Sequence, residues 1–371
     1  MSLEGRIDAA IDAALVNRIV GCVVLVNQGG APVYARAAGL ADREAGRPMA
    51  IDTIFRLSSV TKPIVATAIL AMVDAGEMGL DDPVTVYLPR FRPRLADGSE
   101  PRITIRHLLT HTSGLSVASI LSADEQAAGV NRWRLGDDEI IRRLGELPLS
   151  FAPGTGWAYG PSIDVLGHIA GRLANGRLDD ALRRLVTGPL GMADTGFAVP
   201  ERSRLAVAYA DGPNGPERMG HPHTIPNYWG GTTTYDPERM FDPLAFQSGG
   251  GGATGSGPDI LRLLEALRDG GGPVLRPETT ALALSNQTPQ LENAAGPGWQ
   301  FSLIGALLAD AAAARVQQSP GTNRWGGIYG HHWFIDPVRE FSVVCMTNTG
   351  LEGSDGRLRD DLRAAVYGGP A

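Results

Sequence analysis

A chain of 371 residues with 43% hydrophobic and 20% charged residues can bury a core, which excludes a disordered polypeptide and allows one large domain or two ordinary ones. The net charge of -7 comes without a block of like charges, which excludes nucleic acid and an anionic membrane surface as partners. Only two cysteines occur, Cys22 and Cys345, each in an apolar, β-branched run. That excludes a disulfide framework and a cysteine metal site and predicts two buried thiols.

The first residues carry neither a basic start nor an apolar core, so no signal peptide is expected and the chain is expected to be cytoplasmic. No apolar stretch approaches the roughly 20 residues of a membrane span. Ile7, Ile11 and Leu15 recur at helical spacing and predict an opening amphipathic helix. Residues 20–26 and 33–38 are β-rich runs around Gln28-Gly29-Gly30-Ala31-Pro32, which predicts a hairpin. A short strand is expected to end near Phe55-Arg56-Leu57. A helix follows over 59–75, broken by Gly76. Helices are predicted over 105–109, 137–144, 162–173 and 178–185, separated by Gly and Pro. Residues 195–252 read as long loops. A helix over 258–267, strands over 332–336 and 341–347 and a helix over 357–366 complete the chain. Strands at both ends and helices between them predict an α/β (α+β) fold. One antiparallel sheet is built from both chain ends and carries a mainly helical insertion. The expected division is 1–62 with 245–371 as the sheet domain and 63–244 as the helical one, with the active site between them.

The basic residues supply the first chemical signal. They number 33, and 32 of them are Arg; the one Lys is Lys62. Arg stays protonated in proteins and accepts no proton, whereas a lysine amine can. Lys62 ends Leu57-Ser58-Ser59-Val60-Thr61-Lys62, ahead of an apolar helix. Ser59 and Lys62 stand i and i+3, so a helix puts them on one face. Ser59 is expected in the first helical turn, where free N–H groups favour negative charge. A serine hydroxyl is a weak nucleophile until a neighbour takes its proton, and Lys62 is placed to do so. A chance Ser-x-x-Lys with a solvated lysine is the bland alternative. The lone Lys, the helix start and the apolar run together favour catalysis.

Phe55-Arg56-Leu57-Ser58-Ser59-Val60-Thr61-Lys62 resembles the class C branch of the β-lactamases and penicillin-binding proteins, whose signature is Ser-x-x-Lys. The run Ile103-Thr104-Ile105-Arg106-His107-Leu108-Leu109-Thr110-His111-Thr112-Ser113-Gly114-Leu115 is similar to that branch too. So are Pro153-Gly154-Thr155-Gly156-Trp157-Ala158-Tyr159 and Pro189-Leu190-Gly191-Met192. Within the branch the chain most resembles the family VIII carboxylesterases. The resemblance implies a β-lactamase/transpeptidase-like fold, a cofactor-free and metal-free serine hydrolase, and a small-molecule ester as partner.

The resemblance also assigns further residues and shows departures. The family's Tyr-x-Asn becomes Tyr159-Gly160-Pro161. Tyr159 is implied as the residue that shares the proton of Ser59 and passes it to the leaving group. Pro161 lacks the amide that grips a lactam. The family's Lys-Thr-Gly or His-x-Gly, on an edge strand lining the cleft, becomes Trp325-Gly326-Gly327, followed by Ile328. An indole offers an apolar wall where a cation would bind a carboxylate, and Gly326 and Gly327 let backbone approach substrate closely. The backbone N–H groups of Ser59 and Ile328 are the implied oxyanion hole.

Other signals are bland. Gly250, Gly252 and Gly255 satisfy G-x-G-x-x-G, but no predicted strand precedes them. His107 and His111 lack a third metal ligand and read as capping and packing residues, and His331 and His332 cannot both face the cleft. The functional expectation is an esterase acting through Ser59. A β-lactamase or D-amino-acid-specific peptidase of the same superfamily stands as one rival, and a non-catalytic penicillin-binding-like sensor as another.

Overall fold

Residues 1–116, 120, 125, 132–199, 201–226, 231–291 and 294–369 are described by a computed structural model. Its helices are α1 (Leu3–Leu15), α2 (Thr61–Asp74), α3 (Ile105–Leu109), α4 (Asp137–Leu144), α5 (Ser162–Leu173), α6 (Leu178–Leu182), α7 (Gly257–Arg268), α8 (Pro277–Leu284), α9 (Ala311–Ala314) and α10 (Arg357–Tyr367). The strands are β1 (Gly21–Gln28), β2 (Ala31–Asp42), β3 (Arg47–Pro48), β4 (Ile54–Arg56), β5 (Tyr209–Ala210), β6 (Glu217–Arg218), β7 (His223–Pro226), β8 (Thr232–Tyr235), β9 (Thr254–Ser256), β10 (Trp299–Phe301), β11 (Ala306–Leu308), β12 (Asn323–Gly327), β13 (His331–Asp336) and β14 (Phe341–Thr347).

The two chain ends meet in one eight-stranded sheet, ordered β10-β11-β12-β13-β14-β1-β2-β3. Strand β1 pairs antiparallel with β14, with Val24 opposite Cys345. The unbroken apolar run of β1 follows from burial on both faces. Cys22, Val24 and Val26 pack with Ile7, Ile11, Leu358 and Leu362 of α1 and α10. Val23 and Leu25 join the larger core that holds α2 and α7. The β1–β2 turn has Gly29 at φ 57° and Gly30 at φ 82°, the two positive values that a tight hairpin turn requires. Both cysteines are buried and free, as expected.

Every residue of α2 from Thr61 to Met72 is buried. A helix apolar on all sides needs cover on all sides, and α5, α6 and α8 supply part of it. This helix lies under the cleft and carries Lys62. No helix among the described residues is long and apolar enough to cross a membrane.

The structure corrects several expectations. The predicted helix 59–75 begins as a one-turn 3₁₀ segment, Ser58–Val60, and becomes α-helical only at Thr61. Ser58 has φ 44°, a left-handed value that bends the chain sharply just before Ser59. Residues 178–185 are α-helical only to Leu182 and continue as a π turn, Arg183–Thr187. The loop region 195–252 contains two small hairpins, β5–β6 and β7–β8; its positions 200 and 227–230 lie outside the described residues. Strand β4 pairs with β9 rather than joining the main sheet. Strand β12 is an edge only in part: β11 covers Asn323 and Arg324, and Trp325–Gly327 is open on that side.

Candidate active site

Three elements converge on Ser59. The 3₁₀ turn presents its hydroxyl, α2 brings Lys62 one turn later, and the segment before α5 brings Tyr159. Ser59 Oγ accepts a hydrogen bond from Lys62 Nζ at 3.1 Å and another from Tyr159 OH at 2.7 Å. Lys62 Nζ also donates to Gly250 O at 2.5 Å and lies 4.6 Å from the centre of the Tyr159 ring. Lys62 is 7% exposed, so its amine depends on these partners rather than on water. A hydroxyl held between an amine and a phenol can hand its proton to either one.

The residue that supplies this carbonyl is held through its N–H. Asp164 on α5 accepts from Gly250 N at 3.0 Å and from Ser248 Oγ at 2.5 Å. Sequence reasoning met Gly250 only in a bland glycine pattern and missed Asp164. A backbone carbonyl has no residue signature, and Asp164 is one acid among 40.

The turn before Ser59 is equally fixed. The buried Arg56 guanidinium donates to Pro237 O at 2.8 Å and to Ala206 O at 2.7 Å. Arg56 O accepts from His331 Nε2 at 2.9 Å, which sets that histidine's tautomer. Ser58 Oγ is committed to Leu57 O at 2.7 Å and is buried. Adjacent serines therefore have opposite roles, one in the scaffold and one facing the cavity.

Across from Ser59 stands Trp325–Ile328. A cavity of about 780 Å³ is lined by Ser59, Tyr159, Trp325, Gly326, Gly327 and Ile328, so these predicted residues share one space. Trp325 packs in an aromatic cluster, 5.3 Å from the Tyr159 ring centre and 5.4 Å from that of Phe301. The bareness of Gly327 serves the scaffold as well as the cleft. A Cβ there would sit 2.4 Å from Ser58 Oγ and 2.5 Å from Leu57 O, so β12 could not approach the Ser59 turn. Ile328 is held through its carbonyl, which accepts from Tyr235 OH at 2.8 Å and Leu351 N at 3.1 Å. The Ser59 and Ile328 N–H groups have no hydrogen-bond acceptor among the described residues.

Four histidines lie close to these elements. His107 caps α3 reciprocally with Thr104, at 3.2 and 3.3 Å. His111 is fully buried, 4.9 Å from the Tyr159 ring centre; burial and then the Lys62 charge push its pKa down to about 3. Burial pushes His331 and His332 down to about 4. His331 faces Arg56, and His332 lines the cavity. Pro161 stands just outside α5 as its N-cap and offers no side-chain donor.

Known proteins resemble this chain over nearly its whole length. The Beta-lactamase family model matches residues 7–368. Esterase EstB of Burkholderia gladioli is 49% identical over 376 residues, covering 99% of this chain and 95% of EstB. The structure of EstCE1, a hydrolase with promiscuous acyltransferase activity, superposes with a TM-score of 0.91 at 39% identity, covering 98% of each chain. The penicillin-binding protein of Bacillus halodurans, at 19% identity and a TM-score of 0.71 over 98% of this chain and 99% of its own, shares the fold. With a family model spanning nearly the whole chain and relatives this similar, the chain belongs to the beta-lactamase family, on its family VIII esterase-like side.

Proposed function

We propose that this protein is a serine carboxylesterase in which Ser59 is acylated by a small or medium ester and then freed by water or another acceptor. In this reading the Ser59 hydroxyl loses its proton to Lys62, with Tyr159 sharing the transfer, as Oγ bonds to the ester carbonyl carbon. The carbonyl oxygen becomes an oxyanion between the N–H groups of Ser59 and Ile328. The proton passes through Tyr159 to the leaving alcohol oxygen, and the ester C–O bond breaks. Water then attacks the acyl group along the same path, which restores Ser59. The observation that carries the proposal is the placement of Ser59 Oγ, 3.1 Å from Lys62 Nζ and 2.7 Å from Tyr159 OH. The two lobes, 1–62 with 245–371 and 63–244, are read as the halves of the scaffold that close on this cleft.

Two departures favour esters over lactams. Pro161 and Trp325 replace an amide and a cation that would grip a penicillin. An unpaired buried polar group costs about 1–3 kcal/mol, so two such losses are worth about one to four orders of magnitude at roughly 1.4 kcal/mol per tenfold. A neutral ester incurs neither. The test compares kcat/KM for p-nitrophenyl butyrate and benzylpenicillin. The ester is expected to win by at least about a hundredfold; penicillin turnover as fast as ester turnover contradicts the proposal.

A further inference from the structure

The carbonyl that holds Lys62 belongs to a turn made almost wholly of glycine, Ser248-Gly249-Gly250-Gly251-Gly252. The turn folds back on itself, with Gly251 N and Gly252 N donating to Ser248 O at 3.1 and 2.7 Å. It is wedged between α5 and the chain just before Ser59. A Cβ at Gly249 would sit 2.4 Å from Ile163 O, one at Gly250 would sit 2.9 Å from an Asp164 carboxylate oxygen, and one at Gly251 would sit 3.3 Å from the Ser58 backbone. At Gly249 only bare backbone fits. Such a turn has almost no side chains of its own to fix it. Asp164 does that, accepting from Gly250 N at 3.0 Å and from Ser248 Oγ at 2.5 Å. Asp164 lies in the first turn of α5, directly after the segment that carries Tyr159. One short stretch of chain therefore brings the phenol to Ser59 and fixes the carbonyl on which Lys62 rests.

A nucleophile and its base need a third group that orients the base. A neutral lysine amine has two N–H groups and one lone pair. Gly250 O, 2.5 Å from Nζ, takes one N–H and leaves the lone pair free for the Ser59 hydroxyl, 3.1 Å away. When the Ser59 proton reaches Nζ, the amine becomes an ammonium and its bond to Gly250 O becomes charge-assisted. That bond strengthens as Ser59 attacks, so it lowers the barrier more than it tightens substrate binding.

We propose that Asp164 is a positioning residue of the reaction, which acts through Gly250 to orient the Lys62 amine and to support the ammonium that forms as Ser59 attacks. The Ser59 proton goes to Nζ and then by way of Tyr159 to the leaving alcohol. None reaches Asp164, whose hydrogen bonds to the turn persist throughout. The proposal rests on Ser59 and Lys62 acting as nucleophile and base, and its test keeps the two ideas apart. With p-nitrophenyl butyrate, Asp164→Ala, which removes both hydrogen bonds, is expected to lower kcat about a hundredfold. Asp164→Asn, which keeps an acceptor and removes the charge, is expected to lower it about tenfold, and KM should stay within about twofold in both. The decisive readout is a double-mutant cycle with Lys62→Ala. A residue that acts through the lysine has little left to lose, so Asp164→Ala added to Lys62→Ala should lower the residual kcat by less than about threefold. A loss of equal size in both backgrounds, a loss confined to KM, or full kcat in both Asp164 variants overturns the proposal. Should Asp164→Ala not fold by circular dichroism, Asp164→Asn runs the same cycle. If a fluorophosphonate labels Ser59 in the wild type and the Asp164 variants keep full kcat, the role of Asp164 falls alone. If Ser59 is not labelled, or if Lys62→Ala keeps full kcat, the reading of Ser59 and Lys62 falls and the role of Asp164 falls with it.

Discussion

The two walls of the cleft differ in how many of their polar groups are already satisfied. On the Ser59 side nearly every group has a partner: Arg56 holds two carbonyls, Ser58 Oγ holds Leu57 O, and Lys62 Nζ holds Gly250 O. On the other side, the Ile328 N–H and His332 Nε2 have none among the described residues. A satisfied wall fixes geometry, which chemistry common to all substrates needs. An unsatisfied wall is completed by the substrate and so decides which substrate fits. On the Ser59 side the Ser59 N–H, His111 Nδ1 and His331 Nδ1 are the exceptions, without a partner among the described residues.

The sharpest way to break this contrast is at the closed wall. Lys62→Arg keeps the charge and removes the proposed proton acceptor. We expect kcat to fall by about three orders of magnitude while the circular dichroism spectrum is unchanged. Retention of most of kcat would mean that the lysine supplies charge alone. Tyr159→Phe keeps the ring against Lys62 and His111 and removes only the hydroxyl that reaches Ser59. A kcat loss of about a hundredfold is expected in steady-state assays. At the open wall, Trp325→Ala removes an indole that packs on Tyr159 and Phe301. The expected loss in kcat/KM is about tenfold, consistent with one aromatic contact.

The smallest expected effect comes from the histidines that brace the two walls. His111, His331 and His332 are held neutral by burial, with pKa values near 3, 4 and 4 against an ordinary 6.5. Between those limits the unfolded chain binds protons that the folded chain does not, so stability is greatest above about pH 6.5 and falls as pH drops toward 4. Urea midpoints at about pH 7 and pH 4.5 measure this, and a midpoint that rises on acidification contradicts it.

What was legible in the sequence follows the same division. Ser59 and Lys62 stand out because their relation is local, a three-residue spacing with the chain's one lysine. The sheet built from both ends was readable because 20–26 and 341–347 are long enough to show a pattern. Strands β10 and β11 were not, since three residues each carry no period, and helix α8 begins on Pro277 and runs for only 8 residues. Tyr159 needed the resemblance of its flanking residues. Gly250 lies 188 residues from the lysine it holds, and Arg324 is one of 32 arginines until the fold stacks it on Trp299. Gly327 was read as room for substrate, and the structure shows it is first room for Ser58.

The central claim is that Ser59, and not its neighbour, is the nucleophile. Its most direct test is peptide mapping by mass spectrometry after exposure to a fluorophosphonate. One adduct is expected, on Ser59, and Ser59→Ala should remove both the adduct and esterase activity. Ser58 is committed to Leu57 O, and Ser113 is fully buried and paired with Ser162 at 2.9 Å, so neither should react. An adduct on Ser58 or Ser113, or esterase activity that survives Ser59→Ala, contradicts the account.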